Sequence, residues 1–151
     1  MISARKPILL CIGVAMVAGV TAFATSVPDQ QIATWTCYYQ VNVDSVFTSK
    51  GSWMKDRYTL SVSGGNLIDV DHDDVNNIST TETVSLGKIK DVKGEIDAGH
   101  YFIIINSYGD DVTSQIGLTS DQEDKMSLEF LGTDEATYNA VKQKLLALVN
   151  K

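Results

Sequence analysis

The sequence predicts an α+β fold that is mostly β: a seven-stranded antiparallel sheet or barrel closed by one C-terminal amphipathic helix. Apolar and polar residues alternate in several short segments, which is the pattern of half-buried strands. Glycine pairs and polar clusters separate those segments. After Gly132 the apolar period changes from two residues to about three and a half, which indicates a helix.

The strand predictions follow the alternation along the chain. It is clearest over residues 35–43, where every second residue is apolar. Residues 57–62 and 66–71 come next, and the Gly64-Gly65 reversal between them predicts a hairpin. The run 101–105 is continuously apolar, so we expect a central strand covered on both faces. The remaining predicted strands are 83–90 with a bulge or bend at Gly87, 112–118 and 126–130.

The helix prediction rests on apolar residues at spacings of three and four, namely Tyr138, Val141, Leu145 and Leu148. Thr133 or Asp134 can cap its N-terminus, and Glu135 lies at the positive end of the helix dipole. The apolar stripe must cover something, and the sheet is the only apolar surface available. We therefore expect the helix to lie across the sheet or to fill an open barrel end.

The N-terminus predicts export. Arg5 and Lys6 precede an apolar run, and Ala22-Phe23-Ala24 is a small-x-small cleavage pattern with Ala22 and Ala24 as the small residues. The predicted organisation is a signal peptide over 1–24, a flexible lead-in over 25–33, and one β-rich domain with its helix over 34–151. The location is the periplasm or the extracellular medium. The alternative is an uncleaved N-terminal membrane anchor.

Charge and cysteine content restrict the partners. Two of the twelve basic residues and none of the nineteen acidic ones precede Thr25, so cleavage would change the net charge from −7 to −9. Such a domain repels nucleic acid and, once the signal is cleaved, anionic membranes. It suits a protein partner, and a cationic one best.

Cys37 is the one cysteine after the signal segment, so no internal disulfide is expected, and its strand position predicts a buried, unreactive thiol.

Two segments resemble the pleckstrin-homology-like barrels, including their bacterial relatives. The run WMKDRYTL at 53–60, followed by GGNLI at 64–68, resembles that family's W-x-K-x-R-Y-x-L strand and glycine turn, and VSLGKIKDV at 84–92 resembles its L-x-x-I-x-x-V segment. The resemblance implies a seven-stranded barrel closed by the helix. Lys50, Lys55 and Arg57 match the basic residues of the family's phosphoinositide-binding members. Because an exported acidic domain does not meet cytosolic phosphoinositides, we carry over the fold and not the ligand.

Acidic residues concentrate in two predicted loops, 69–82 and 106–111. The candidate binding residues there are Asp69, Asp71, Asp73, Asp74, Asp110 and Asp111. Asp69, Asp71 and Asp73 also have the alternate spacing of a calcium loop, although Asp74 and Thr80 stand where that motif needs glycine and glutamate. Calcium is therefore a candidate ligand, against an ordinary acidic turn. No other cofactor is expected.

The residues for most catalytic sites are absent from the sequence. His72 and His100 are the only histidines, there is no H-E-x-x-H motif or cysteine pair, and no glycine-rich loop leads from a strand into a helix. The sequence therefore predicts no enzyme and no catalytic residue. It predicts an exported binding or inhibitory module that presents acidic loops to a protein. The alternatives are a structural subunit of an envelope assembly and a metal-dependent enzyme.

Overall fold

The computed structural model describes residues 27–41 and 52–150, with side chains described for 27–38 and 56–150. This part of the chain forms nine strands and one α-helix. The strands are β1 (Gln30–Val41), β2 (Ser52–Ser63), β3 (Asn66–Asp73), β4 (Ile78–Ser85), β5 (Ile89–Asp97), β6 (His100–Ser107), β7 (Val112–Ile116), β8 (Thr119–Glu123) and β9 (Lys125–Phe130), and the helix is α1 (Glu135–Val149). A 3-10 turn at Leu86–Lys88 separates β4 from β5.

The strands form two antiparallel sheets. The larger has the order β1-β2-β3-β4-β7-β8, and the smaller has the order β5-β6-β9. The prediction of a mostly β fold with one C-terminal helix is confirmed. The described residues contain nine strands rather than seven, and their two sheets do not close into a barrel.

The strand boundaries differ from the prediction where apolar alternation is weak. β4 begins at Ile78, five residues before the predicted strand at 83–90, and the bend expected at Gly87 is a 3-10 turn that ends the strand. β8 was missed because all five of its residues are polar and exposed. β1 begins at Gln30, inside the predicted lead-in, because Ile32 belongs to the hydrophobic core.

The hairpin prediction at Gly64-Gly65 is confirmed. The two glycines have φ of 57° and 78°, in the left-handed region that side chains disfavour, and Ser63 pairs with Asn66 across the turn. This turn fixes the register of β2 and β3. The register matters for function because it decides which carboxyl groups face the interior.

The core lies between the two sheets and under the helix. Leu60 and Leu67 from the larger sheet and Ile103 and Leu128 from the smaller one are fully buried. The prediction that 101–105 is covered on both faces is only partly right. Ile103 and Ile105 are fully buried, but the residues on the opposite face of β6, Phe102 and Ile104, are half-buried.

The predicted helix stripe is confirmed. Tyr138, Val141 and Leu145 are buried, and Leu148 packs against the core at its edge. The Asp134 side chain accepts a hydrogen bond from the Thr137 amide at 2.7 Å, and Asp134 is therefore the N-cap.

Some predictions lie outside the described residues. They include the signal peptide over 1–24 with Ala22 and Ala24, residues 25–26 of the lead-in, residues 42–43 of the first predicted strand, residue Lys50, and the side chain of Lys55.

Across the residues that the structure describes, no helix combines the length and hydropathy needed to span a bilayer.

Candidate functional site

The predicted strand at 66–71 is confirmed as β3, but it continues to Asp73, so the first part of the acidic segment 69–82 is strand and not loop. The connection to β4 is a short turn over 74–77. Alternate residues of a strand share a face, so Asp69, Asp71 and Asp73 project to the same side as the fully buried Leu67. That side is the interior. The sequence predicts an exposed acidic loop for these carboxylates, because carboxylates rarely occupy inward positions.

Four carboxyl groups share this inner face, those of Asp56, Asp69, Asp71 and Glu82. The charge of Glu129 acts on Asp71, and that of Asp56 acts on Glu129, and we call these five groups the carboxyl cluster. The strand register explains the grouping. Glu82 of β4 lies directly opposite Asp69, which places their Cβ atoms about 5 Å apart, and Asp56 of β2 lies diagonally from Asp71. Glu129 comes from β9 of the smaller sheet. The cluster therefore bridges the two sheets.

Asp69 is the most deeply placed member. Its residue is 2% exposed, and its Oδ1 atom is buried without a hydrogen-bond partner. Burial, and then the charges of Glu82 and Asp71, raise the pKa of the Asp69 carboxyl to about 8. An unpaired buried carboxylate is costly, so the protonated form is favoured here at neutral pH.

Glu82 and Asp71 are less deeply buried than Asp69, but burial raises their pKa values too. Burial raises the pKa of Glu82 to about 7, with further contributions from Glu123 and Asp71, while a hydrogen bond with the Ser127 backbone lowers it. Burial, then Asp56, Glu129 and Asp73, raise the pKa of Asp71 to about 6. Asp71 Oδ1 is also buried without a hydrogen-bond partner. Within the described residues, no lysine or arginine forms an ion pair with Asp69, Asp71 or Glu82.

The cluster extends to the edge of β9 that pairs with no strand of the smaller sheet, and this edge contacts β1. The indole Nε1 of Trp35 donates to the Glu129 carbonyl at 2.8 Å, and the Cys37 thiol donates to the same oxygen at 3.1 Å. Burial, then Asp56, raises the pKa of the Glu129 side chain, and His100 opposes this shift. Tyr58 lies between these groups, and burial followed by the charge of Asp71 raises the pKa of its phenol.

The structure places the calcium-like spacing of Asp69, Asp71 and Asp73 on an extended strand and not in a loop. Alternate residues of an extended strand are about 7 Å apart, whereas calcium needs six to eight oxygens at 2.3–2.6 Å. In the described residues, no three His, Cys, Asp or Glu side chains are arranged to hold a metal ion.

Asp73 and Asp74 stabilise the β3–β4 turn. Asp73 Oδ1 accepts hydrogen bonds from the backbone amides of Val75 at 2.7 Å and Asn76 at 3.0 Å. Hydrogen bonds from Asn76 lower the pKa of Asp73. Asp74 forms an ion pair with Arg57 at 2.7 Å, so Arg57, which the resemblance matched to phosphoinositide-binding residues together with Lys50 and Lys55, pairs with a residue of the protein itself.

Asp110 and Asp111 lie at the other end of the larger sheet. Thr83 of β4 pairs with Thr113, and Thr80 pairs with Ile116, so β7 begins at the end of β4 that is remote from the 74–77 turn. At 3.3 Å per residue the two loops are separated by about 20 Å. Lys88 also pairs with Asp111 at 3.6 Å. The six predicted binding residues therefore do not form one surface.

A different exposed surface runs along the β7–β8 hairpin, from its turn beside the start of β4 to Glu123 opposite Val112. We call it the hairpin surface, and it consists of Ile78, Ile116, Leu118, Asp121 and Glu123. Its three apolar residues are 49%, 52% and 106% exposed, respectively. Asp121 and Glu123 pair with Ser114 and Val112, so both carboxylates lie on the same face as the carboxyl cluster. A shallow cavity of about 280 Å³ lies here, lined by Ser114, Ile116, Thr119 and Asp121.

Cys37 fits the buried thiol that the sequence predicts. It is 1% exposed, and burial is the main cause that raises its pKa to about 11. The thiolate is the nucleophile of thiol enzymes, and a raised pKa disfavours it. The arrangement therefore supports a structural role for Cys37.

Sequence reasoning missed Asp56, Glu82, Glu129, Asp121 and Glu123. Glu82 and Glu129 each stand two residues from an apolar residue in a strand-like stretch, but no local pattern places them beside Asp69 or Asp56. Only the pairing of β3 with β4 and the approach of β9 do this.

We compared the chain with protein-family models, curated proteins and solved structures, and none of the three comparisons found a match.

Proposed function

We propose that this protein is an exported, non-enzymatic binding or inhibitory module that presents an acidic surface to a cationic protein. The observation that carries the proposal is the hairpin surface, where three exposed apolar residues lie at the turn end and the carboxylates of Asp121 and Glu123 follow along β8. An exposed apolar patch with charges around it is typical of a protein-binding site. The net charge of −7 favours approach of a cationic partner over an anionic one.

This proposal moves the binding site from the predicted acidic loops to a strand edge. Asp73 and Asp74 have hydrogen bonds or ion pairs inside the turn, and Asp69 is out of contact with solvent. Asp121 and Glu123 are exposed on β8, the last strand of the larger sheet. They are better placed than the loop residues to meet a partner.

Two matched pairs of substitutions test the proposal. D121N with E123Q removes two charges from the hairpin surface, and E95Q with D97N removes two charges from exposed positions of β5. The partner would first be recovered from the extracellular or periplasmic fraction with the unaltered protein as bait. We expect the hairpin pair to slow association several-fold and to flatten its salt dependence, because steering charge acts mainly on the association rate.

The β5 pair is the control for net charge, since it changes the charge by the same amount elsewhere. Equal slowing by both pairs would mean that only overall charge matters, and the assignment of the hairpin surface would be wrong. A third variant, L118S, should speed dissociation, because it removes apolar contact without changing charge.

The free edge of β8 favours a second candidate, a structural subunit of an envelope assembly. Among the described strands β8 pairs only with β7, so its outer edge is available to a strand of another chain. Sedimentation of the purified protein distinguishes the two functions. Concentration-dependent self-association would favour the subunit, and a monomer that binds a cationic protein would favour the module.

Export and the fold family are also proposals. The signal segment supports cleavage after Ala24, and we expect the intact mass of the exported protein to match a chain that begins at Thr25. A mass that includes residues 1–24 would favour the membrane anchor instead. The resemblance to pleckstrin-homology-like barrels is supported by the β2–β3 hairpin and the terminal helix, and an experimental structure that includes residues 42–51 would test barrel closure.

A further inference from the structure

Asp69 and Glu82 create an electrostatic conflict inside the protein. They face each other on adjacent strands, and Asp71 lies two residues along the same face as Asp69. Like charges directly opposite each other destabilise a sheet, and burial strengthens the repulsion. The buried Oδ1 atoms of Asp69 and Asp71 also have no hydrogen-bond donor. A proton on one carboxyl removes a charge and supplies a donor for its neighbour.

We propose that the carboxyl cluster is a pH-sensitive switch. Protons shared by Asp69, Asp71 and Glu82 hold β3 and β4 against the edge of β9 in acidic medium, and their loss at neutral to alkaline pH loosens this contact. The Ser127 backbone of β9 lowers the pKa of the Glu82 carboxyl, which indicates that this side chain lies near β9. The switch is independent of the proposed partner, because it involves only groups inside the protein.

The groups that face the cluster come from six strands. Asp56 and Tyr58 project from β2, Cys37 from β1, Asp73 from β3, Glu123 from β8, and Glu129 from β9. His100 of β6 acts on Glu129 and favours its ionised form. Apart from this histidine, the named neighbours are acids, a phenol and a thiol. No described neighbour of Asp69 supplies a positive charge that would replace the proton.

The direction of the pH effect follows from these environments. The pKa values of Asp69, Asp71 and Glu82 are raised in the folded protein, to about 8, 6 and 7, above the ordinary values of 3.8, 3.8 and 4.5. At pH values between the ordinary and the raised pKa of each group, the folded state binds more protons than the unfolded state. Unfolding therefore becomes easier as the pH rises. The stabilisation is complete below about pH 4 for these groups, and it is lost as the pH passes through 6 to 8.

Urea denaturation of the full chain at pH 5 and pH 8 tests the switch. We expect the unfolding equilibrium constant to be at least about tenfold larger at pH 8, because one unit of raised pKa corresponds to a factor of ten. D69N cannot ionise at this position and can donate a hydrogen bond, so it should flatten the pH dependence and unfold less readily than the unaltered protein at pH 8. E82Q should change the stability in the same direction.

D97N is the matched control, because Asp97 is exposed at the end of β5 and belongs to no part of the cluster. It should retain the full pH dependence. Equal or greater stability of the unaltered protein at pH 8 than at pH 5 would overturn the proposal. So would a pH dependence that D69N leaves unchanged.

Hydrogen exchange locates the loosening. Protection of the Ser127 amide and of the Trp35 indole N–H, corrected for intrinsic exchange, should fall between pH 5 and pH 8 by several-fold more than protection of amides in the β5–β6 ladder. A uniform fall would indicate global unfolding and would overturn the assignment to the β9 contact. These outcomes do not depend on a binding partner, so failure of the switch leaves the proposed function to its own test.

Discussion

Removal of helix α1 is expected to abolish cooperative folding. A chain that ends at Thr133 lacks Tyr138, Val141 and Leu145, which are 5%, 2% and 0% exposed. Burial of each such side chain stabilises a protein by about 1.5–3 kcal/mol, and a whole domain is stable by only 5–15 kcal/mol. The truncation also exposes Tyr101 and Phe130, whose rings lie 4.9 Å and 5.6 Å from that of Tyr138. Calorimetry and near-UV circular dichroism would measure the loss.

Point substitutions test the same contact with less disturbance. L145A should lower the free energy of unfolding by about 2–5 kcal/mol, since it leaves a cavity under the helix. Q143A is the control, because Gln143 is exposed on α1 and the change is expected to be worth less than about 0.5 kcal/mol. A truncated chain with nearly the same melting temperature would show that the helix does not belong to the core.

The parts of this fold that were predictable have local causes. Gly64 and Gly65 adopt left-handed φ values in the hairpin, and Asp134 begins the helix by accepting a hydrogen bond from Thr137. These are interactions between residues close together in the chain, and their preferred residue types are well known. The burial of Cys37 follows equally from alternation along one strand.

The carboxyl cluster was not predictable, because its position depends on distant parts of the chain. Asp69 continues the inward alternation from Leu67, but acidic residues in such positions usually indicate a solvated loop. The opposing Glu82 is set by the β3–β4 register, and Glu129 is set by the approach of a separate sheet. Likewise, the 20 Å separation of the two predicted loops follows from the pairing of β4 with β7. The sequence shows the charges and not their neighbours.

Buried polar groups without hydrogen-bond partners cost stability, so most proteins avoid them. Where a protein keeps such groups, they are expected at functional sites. A chain that needed stability alone could carry apolar residues at positions 69 and 82, and their neighbours Leu67 and Val84 show that the face accepts them. The inward carboxyls therefore favour a role that depends on protonation. If the protein is exported as we propose, the carboxyl cluster would meet the pH of the surroundings directly.

Trp35 is expected to be the most important single side chain at the junction of the two sheets. It is 6% exposed, and its ring stacks on Tyr58 of β2 at 5.2 Å and on Phe130 of β9 at 4.6 Å. Its indole also donates to the Glu129 carbonyl at 2.8 Å. W35A should therefore lower the free energy of unfolding by about 3–5 kcal/mol.

A graded series separates packing from hydrogen bonding at this junction. W35F keeps an aromatic ring between Tyr58 and Phe130 but leaves the Glu129 carbonyl with the Cys37 thiol alone, so it should cost less than W35A. Loss of the indole hydrogen bond accounts for about 0.5–1.5 kcal/mol of the destabilisation by W35F. T34A is the control, because Thr34 is exposed on the same strand. Urea denaturation at pH 5, below the raised pKa values of Asp69, Asp71 and Glu82, measures all three variants. Similar stabilities for W35A and T34A would mean that the stacked rings do not hold the sheets together, and the contact between β1 and β9 would then contribute little to the fold.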